Sequence, residues 1–237
     1  MTGTLINIAT VLLGGTLGLL VGARLPERIR QTVVAGLGLF TAAFGLKMFT
    51  RTQNEIIVLG SLLLGGLLGE WWRIEDRLSN LGIFLEKRFA GGEGEAHSGS
   101  RFVRGFLTAS LVFCVGPMTI LGAIQDGLTG DYQLLAVKSV LDGFAALAFA
   151  STLGVGVLFS VLVILVYQGS LSLLAAQAEV LLTEPMMLEM TAVGGLILVG
   201  IAVSSLLEIK HIRVGNFLPA LVVAPCIVAI LKALGVS

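Results

Sequence analysis

Long apolar runs alternate with short polar links along the whole chain. Runs of about 17 or more apolar residues are long enough to cross the hydrocarbon core of a bilayer as helices. Eight such runs occur, at residues 5–22, 32–49, 56–72, 102–124, 134–150, 152–168, 187–207 and 216–233. The pattern predicts an all-α, polytopic membrane protein with about eight spans. A range of about seven to nine spans stays open, because a weaker apolar segment at 170–182 either continues the sixth helix or forms a re-entrant piece.

Residues 73–89 follow a different pattern, in which charged side chains alternate with apolar ones. The apolar residues of this segment are Ile74, Leu78, Leu81, Phe84 and Leu85. Their spacing places them on one face of a helix. We expect this amphipathic helix either to lie on the membrane surface or to pack on its own protein as a solvent-exposed helix. A loop rich in Gly, Ser and Glu is predicted at 90–101.

Composition agrees with a membrane protein. Of 237 residues, 56% are hydrophobic and 13% are charged, and the mean hydropathy is +0.98. Soluble domains contain about 25% charged residues. So few charges cannot cover a globule of this size in water, but they suffice when most of the surface faces acyl chains. The lipid bilayer is therefore the first expected partner.

Basic residues are divided unequally between the two sides of the predicted bundle. Eleven Lys and Arg residues lie in the odd-numbered links, whereas the opposite side has Lys47, Arg51 and Lys232. Because cytoplasmic loops carry the excess of Lys and Arg, both termini are expected outside. The net charge of zero identifies no partner, and no nucleic-acid partner is predicted.

A weak self-similarity relates two parts of the chain at a constant offset of 159 residues. Thr32, Val34, Gly36, Leu37, Leu39 and Ala43 match Thr191, Val193, Gly195, Leu196, Leu198 and Ala202. Apolar helices also match by chance, so a true repeat and a coincidence both stay open. A true repeat makes residues 5–72 and 152–233 two inverted units of one transmembrane domain (1–237), with the spans at 102–151 between them.

Lys138 and Asp142 are charged residues within an apolar run, where their burial in the membrane is energetically costly. They lie four residues apart, so they share one helical face. Asp142 is about 12 Å into the fifth span, near the bilayer centre. A charge at that depth costs several kcal/mol unless it is paired, hydrated or neutralised. The pair therefore indicates a proton, cation or substrate site, and a structural ion pair is the alternative.

The fourth span is interrupted by Gly116 and Pro117. Proline removes a backbone hydrogen bond and bends or breaks the helix. Freed backbone groups can bind ions where they line a cavity, although many proline kinks are purely structural. Thr119 and Gln125 follow downstream, which favours a polar path, and Asp126 lies in the short link after the span.

The eighth span is a second candidate for a broken helix, because it contains Pro219 and Pro225 and begins at Asn216. Asn7, Gln168 and Glu189 are further polar residues within or next to spans. Each of these three is expected at the interface or in an interhelical hydrogen bond rather than as a ligand.

No pattern for enzymatic chemistry is present. The sequence lacks the paired aspartates, the serine with a base or the zinc motif of intramembrane proteases, and it lacks a phosphate-binding GxxxxGK[ST] loop. The glycines at 14, 15, 18 and 22 indicate close helix packing. Two histidines and two cysteines (Cys114 and Cys226, both in apolar runs) form no metal-binding spacing. We expect no catalytic residue, metal or cofactor.

Three stretches, at 113–150, 167–175 and 189–221, resemble the uncharacterised bacterial YdfK/YqgA-like family of integral membrane proteins. The resemblance covers nearly the whole chain. It implies a multi-pass protein of the bacterial inner membrane, and it supplies neither a substrate nor a mechanism.

These observations predict a secondary transporter or ion-translocating protein for a small ion or solute. Its site is expected at mid-membrane between the two repeat units. Asp142 and Lys138 are expected to bind the ion or substrate, with Asp126 and Gln125 at the outer mouth and the broken spans four and eight supplying backbone groups. An ion channel lined by the same residues and a non-transporting scaffold or sensor are the alternatives. The modest chain length favours a homo-oligomer.

Overall fold

Helices make up every regular element that the structure describes. The computed structural model describes residues 1–24, 26–89, 96–115, 117–175 and 182–235. The α-helices are α1 (Thr2–Gly22), α2 (Glu27–Phe49), α3 (Glu55–Trp72), α4 (Ile74–Phe89), α5 (Ala96–Val115), α6 (Pro117–Thr129), α7 (Gln133–Leu153), α8 (Ser160–Leu173), α9 (Glu184–Ile201) and α10 (Ala220–Ala233). Short 3₁₀ turns at Val155–Phe159 and Val214–Phe217 precede α8 and α10, and a π turn at Ala202–Leu206 extends α9. Among the described residues, seven helices are long and apolar enough to cross a membrane. The predicted all-α, polytopic fold is confirmed.

Internal contacts divide the chain into two compact units. The first contains α1, the beginning of α2, most of α4, nearly all of α5 and α6, and α7 and α8. The second contains the rest of α2, α3, the start of α4, Val115, Pro117, α9 and α10. The inverted repeat and the domain boundaries drawn from it stay predictions.

Helices α1 and α7 form the central seam of the first unit. Glycines of α1 at four-residue intervals face backbone carbonyls of α7 that are also four residues apart. Gly14 lies against Gly143, and Gly18 lies against Leu147. Because both numbers increase together, α1 and α7 are parallel. The predicted close packing at these glycines is therefore correct, since a side chain there would collide with the α7 backbone.

Helices α5 and α6 are two halves of one broken span. The segments Arg101–Val115 and Met118–Thr129 meet at an angle of 63°. Near the start of α5, Gly105 lies against Leu153 at the end of α7, and farther along α6, Gly122 lies against Leu135 near the start of α7. The pair therefore crosses the whole unit antiparallel to α7 and is no re-entrant loop. Counting this pair as one crossing gives the eight spans that the sequence predicts.

One side of helix α4 packs against helix α5. Gly82 contacts Phe106 of α5, and Leu85 is buried in a cluster with Phe102 and Phe106. Phe84 on the neighbouring face stays 61% exposed. Helix α5 begins at Ala96, so the predicted loop at 90–101 is wrong from residue 96 onwards. Residues 90–95 lie outside the described residues.

In the second unit, α3 and α10 are antiparallel, with Gly65 against Ala220 and Gly69 against Asn216. Gly45 of α2 and Gly195 of α9 make a similar close contact. Small residues again allow the backbones to approach.

Candidate functional site

A buried ion pair lies on α7. Lys138 Nζ contacts Asp142 Oδ2 one helical turn away, and the two side chains are 6% and 12% exposed. Val137, Val140 and Phe144 on the opposite face are exposed, so the pair faces the interior of the unit and not the lipid. Asp142 is nine residues after the start of α7, which is about 14 Å along the helix.

A chain of hydrogen bonds joins this pair to α1 and α8. Asn7 Nδ2 donates to Asp142 Oδ2 over 3.0 Å and to Gln168 Oε1 over 3.1 Å. Gln168 Nε2 donates in turn to Thr4 Oγ1 over 3.2 Å. All of these side chains are buried. The interpretation of Asn7 and Gln168 as interhelical hydrogen-bonding residues is confirmed.

Thr4 is a member of this network that the sequence reasoning missed. The spacing of residues in α1 could have identified it. Intervals typical of one helical face separate Thr4, Asn7, Gly14 and Gly18. The glycines identify that face as the one packed on another helix. Polar residues on the same face were therefore candidates for the same interface.

Asp126 of α6 lies at the beginning of α1. Its Oδ2 accepts a hydrogen bond from Gly3 N over 3.1 Å and is 3.0 Å from the amino group of Met1. The carboxylate thus faces the positive end of the α1 dipole. Asp126 is 3% exposed.

Two buried oxygens near these groups have no hydrogen-bond donor. They are Asp126 Oδ1 and Asn7 Oδ1. An acceptor buried without a partner costs about 1–3 kcal/mol. Such atoms in a native protein require an explanation, and an ordered water or ion is one such explanation.

The polar groups follow one another along α1. Gly3, next to Asp126, is one residue into the helix, whereas Asn7 is five residues into it, about 8 Å from its start. Asp142 follows at a depth of about 14 Å along the parallel helix α7. We call Asp126, Thr4, Gln168, Asn7, Asp142 and Lys138 the polar file. It extends from one end of the first unit to the middle of the spans.

The break in the fourth span has its own hydrogen bond. In an unbroken helix the carbonyl of Phe113 would accept from the N–H of residue 117, which Pro117 lacks. Thr119 Oγ1 donates to this carbonyl over 3.0 Å. Thr119 therefore caps the broken helix. Gly116 lies outside the described residues, and Gln125 is exposed.

Asn216 and Pro225 belong to the second unit. Asn216 Oδ1 accepts from Glu75 N over 2.8 Å, and its Nδ2 donates to Glu70 Oε2 over 2.6 Å. Asn216 thus joins the start of the last span to the turn between α3 and α4. Helix α10 begins directly after Pro219, where the 3₁₀ turn at Val214–Phe217 has ended, and it continues through Pro225 to Ala233. The eighth span is therefore interrupted near Pro219, and the predicted break is wrong at Pro225.

Glu189 has a structural role in the second unit. Its carboxylate accepts from Thr52 Oγ1 over 2.6 Å, from Gln53 N over 2.8 Å and from Asn54 N over 3.2 Å. The residue is 2% exposed. These three donors fix the turn between α2 and α3 onto α9, as expected of an interhelical hydrogen-bonding residue. Within the described part of the chain, no group of three His, Cys, Asp or Glu side chains could hold a metal ion.

Glu75 provides a pH-dependent contact at the start of α4. Its Oε2 accepts from Gly215 N over 2.6 Å. Burial raises the pKa of this carboxyl above its ordinary value of 4.5, and the Gly215 hydrogen bond and the nearby His211 and Arg213 charges oppose the shift only in part. The associated stability is thus fully present below pH 4.5 and is lost as the pH rises through the pKa of the folded state.

Glu75→Gln is expected to reduce the pH dependence of stability above pH 4.5, because glutamine keeps an acceptor for Gly215 N and does not titrate. The measurement is the thermal unfolding midpoint in detergent from pH 4.5 upwards. Glu55→Gln, at an exposed position in the first turn of α3, is the matched control. An unchanged pH slope in Glu75→Gln would contradict this account of Glu75.

Comparison with known proteins gives the following matches. The model of DUF554, described as a protein of unknown function, matches residues 2–229. An uncharacterized protein YqgA of Escherichia coli (strain K12) is 35% identical over 223 residues, which cover 94% of each chain. An uncharacterized membrane protein YdfK of Bacillus subtilis (strain 168) is 30% identical over 239 residues, covering 99% of each. No solved structure matches.

Proposed function

The chain belongs to the DUF554 family, whose members are proteins of unknown function, and we propose that it is a secondary transporter of a small ion or solute. The observation that carries the proposal is the polar file with its two unpartnered buried oxygens. If the polar file served packing alone, hydrogen bonds to these two oxygens would make the protein more stable, because each unsatisfied acceptor is destabilising. A transported ion or its water supplies the missing partner during the transport cycle.

The Lys138–Asp142 pair indicates how such a site would be used. In the described state Lys138 Nζ occupies the place of a cation at the carboxylate. An entering cation would take over Asp142, and Asn7 would keep the carboxylate oriented through its hydrogen bond. Lys138 would then be a buried charge without a counter-ion, which costs several kcal/mol. Lys138 therefore releases a proton from Nζ when a monovalent cation binds, so that the net charge of the site stays the same in both states.

This mechanism makes the chain an exchanger of a monovalent cation against a proton. We place the entrance at Asp126, at the start of the polar file, as in the prediction that this residue lies at the outer mouth. The break at Pro117 contributes a bend rather than ligands, because Thr119 already satisfies the Phe113 carbonyl. The hydrogen bond from Asn7 to Gln168 joins the first predicted repeat segment to the second.

A non-transporting scaffold or sensor is the second candidate. The low exposure of Lys138 and Asp142 favours it, because a permanently paired site could serve packing alone. A channel lined by the same polar residues is the remaining alternative. The proposed exchange needs no enzymatic reaction.

Location and assembly are further parts of the proposal. The distribution of basic residues supports an inner-membrane protein with both termini outside, and the short chain supports a homo-oligomer.

The test uses purified protein in liposomes that contain a pH-sensitive dye, with imposed gradients of Na⁺, K⁺ or Li⁺. An exchanger is expected to move protons against at least one of these cations, with a rate that saturates and without a membrane potential. A rate that rises without saturation would identify a channel. The absence of proton movement with all three cations would favour the scaffold.

A further inference from the structure

Three helices of the first unit meet at the start of the polar file, where α1 begins and where α6 and α8 end. Asp126 of α6 contacts the beginning of α1 at Gly3 N and at the Met1 amino group. Gly127, the next residue of α6, lies against the carbonyl of Ser172 in α8. We refer to this meeting point, formed by Gly3, Asp126, Gly127 and Ser172, as the entrance junction.

Ser172 has a buried hydroxyl that departs from the usual pattern in these helices. The residue is 4% exposed, and its Oγ has no hydrogen-bond partner. The buried hydroxyls of Ser139 and Ser160 instead donate to a carbonyl about one turn before them. Ser172 follows Gln168 by four residues, so both side chains lie on the face of α8 that packs against α1. The hydroxyl is therefore available to a ligand at the entrance junction.

Asp126 supplies a second unused oxygen to the same junction. The hydrogen bond from Gly3 N and the contact with the Met1 amino group both involve Oδ2, whereas Oδ1 is buried without a partner. Because Met1 is 40% exposed, solvent screens part of the charge of its amino group. One carboxylate oxygen and one hydroxyl oxygen are thus left without partners where α6 contacts α8.

The chemistry of the junction favours a small cation. Carboxylate and hydroxyl oxygens are the kind of ligand that hard cations bind. Ser172 lies in the last turn of α8, where helix carbonyls lack intrahelical donors and the helix dipole favours positive charge. A Cβ at Gly127 would lie 2.1 Å from the Ser172 carbonyl oxygen, so the helices leave little space between them. One carboxylate in a narrow junction fits a monovalent cation that has lost most of its water.

We propose that the entrance junction binds Na⁺ through Asp126 Oδ1 and Ser172 Oγ, in preference to the larger K⁺. The inference rests on the proposed transport function for the route of the ion, and it adds a second binding site in front of Asp142. Ligation of Na⁺ gives both oxygens the partner that they lack, which offsets part of the cost of removing water from the ion. Ser172 is the residue that distinguishes this site from the buried pair.

The experiment measures the thermal unfolding midpoint of the full-length protein in a neutral detergent while NaCl replaces choline chloride at constant ionic strength. A ligand that binds the folded state alone raises the midpoint once its concentration exceeds the dissociation constant. Na⁺ is expected to raise the midpoint, and KCl is expected to be needed at a higher concentration for the same rise.

Ser172→Ala is expected to increase the Na⁺ concentration required by about tenfold, the effect of losing one contact to a charged group. In choline chloride its midpoint should equal or exceed that of the unmodified protein, because the substitution removes an unsatisfied buried hydroxyl. Asp126→Asn keeps an acceptor for Gly3 N and should abolish the response to Na⁺. Ser170→Ala is the matched control in the same helix, since Ser170 is exposed and its hydroxyl donates to the Tyr167 carbonyl.

Equal midpoints of the unmodified protein in Na⁺ and choline would show that the junction holds water alone and would overturn the proposal. An unchanged Na⁺ response in Ser172→Ala would overturn it as well. A response that disappeared in Asp142→Asn but not in Ser172→Ala would place the ion at the buried pair instead. Equal responses to K⁺ and Na⁺ would contradict the assignment to Na⁺.

This binding test and the liposome test of transport fail separately, because binding in detergent requires no transport. Na⁺ binding that depends on Ser172, without proton movement in liposomes, would support the junction site and contradict the transporter. Proton movement in liposomes together with an unchanged Na⁺ response in Ser172→Ala would support the transporter and contradict the junction site.

Discussion

Lys138→Met is expected to destabilise the protein by about 3–5 kcal/mol, because it leaves Asp142 as a buried charge without its counter-ion. Asn7 Nδ2 is then the donor that still holds the carboxylate, and one neutral amide cannot replace an ammonium group. Methionine nearly preserves the volume of the lysine side chain, so little of the loss arises from packing. The free energy of unfolding, measured by denaturant titration in mixed micelles, checks this prediction.

The double variant Lys138→Met/Asp142→Leu separates the charge from the shape of the side chains. Removing both partners of a buried pair is far less destabilising than removing one. We therefore expect the double variant to recover more than half of the stability that Lys138→Met loses. The single variant Asp142→Leu completes the comparison. If the stability losses of Lys138→Met and Asp142→Leu simply added in the double variant, the two residues would not be coupled and the ion pair would have no energetic role.

Gly14→Leu is expected to destabilise the protein by about 3 kcal/mol, the upper end of the usual cost of overpacking, because the added side chain collides with the backbone carbonyl of Gly143. A backbone carbonyl in a helix cannot move aside as a flexible side chain can. Helices α1 and α7 must therefore separate, which would also lengthen the hydrogen bond from Asn7 to Asp142. The measurement is again the free energy of unfolding.

Gly36→Ala is the control for this substitution. Apart from the neighbouring residues and backbone of α2 itself, no atom lies within 4 Å of the position that a Cβ would take at Gly36. Alanine favours helices over glycine by about 1 kcal/mol, so this variant should be as stable as the unmodified protein or slightly more stable. Equal stability of Gly14→Leu and Gly36→Ala would contradict the close α1–α7 seam.

The spans and the broken fourth helix were predictable because their signals are local. A membrane helix is identified by the length of its apolar run alone. Pro117 and Pro225 show the limit of such signals, because each removes one backbone hydrogen bond but only the first coincides with a break. Pro117 follows a glycine, whose backbone is the most adaptable. Pro225 follows Ala224 within a helix that continues around it.

The partners of Asp142 could not be predicted from local signals. Lys138 was predictable, because a spacing of four residues on one helix brings the two side chains together. Asn7 is 135 residues away from Asp142, and Gln168 is 161 residues away from Asn7. Only the packing of α1 against α7 and α8 brings these groups together. The sequence does indicate which face of α1 is packed, through its glycines, but not which helix that face meets.

Cation-driven proton movement by Asp142→Asn in liposomes tests the transport account most directly. Asparagine is nearly the same size as aspartate but has no charge with which to bind a cation. The rate of proton movement is therefore expected to fall to that of protein-free liposomes. Asp131→Asn is the matched control, because Asp131 is exposed and asparagine retains the Oδ1 acceptor for Gln133 N. Its rate should equal that of the unmodified protein. Rapid proton movement by Asp142→Asn, at the rate of the Asp131→Asn control, would contradict the assignment of Asp142 as the ion-binding residue.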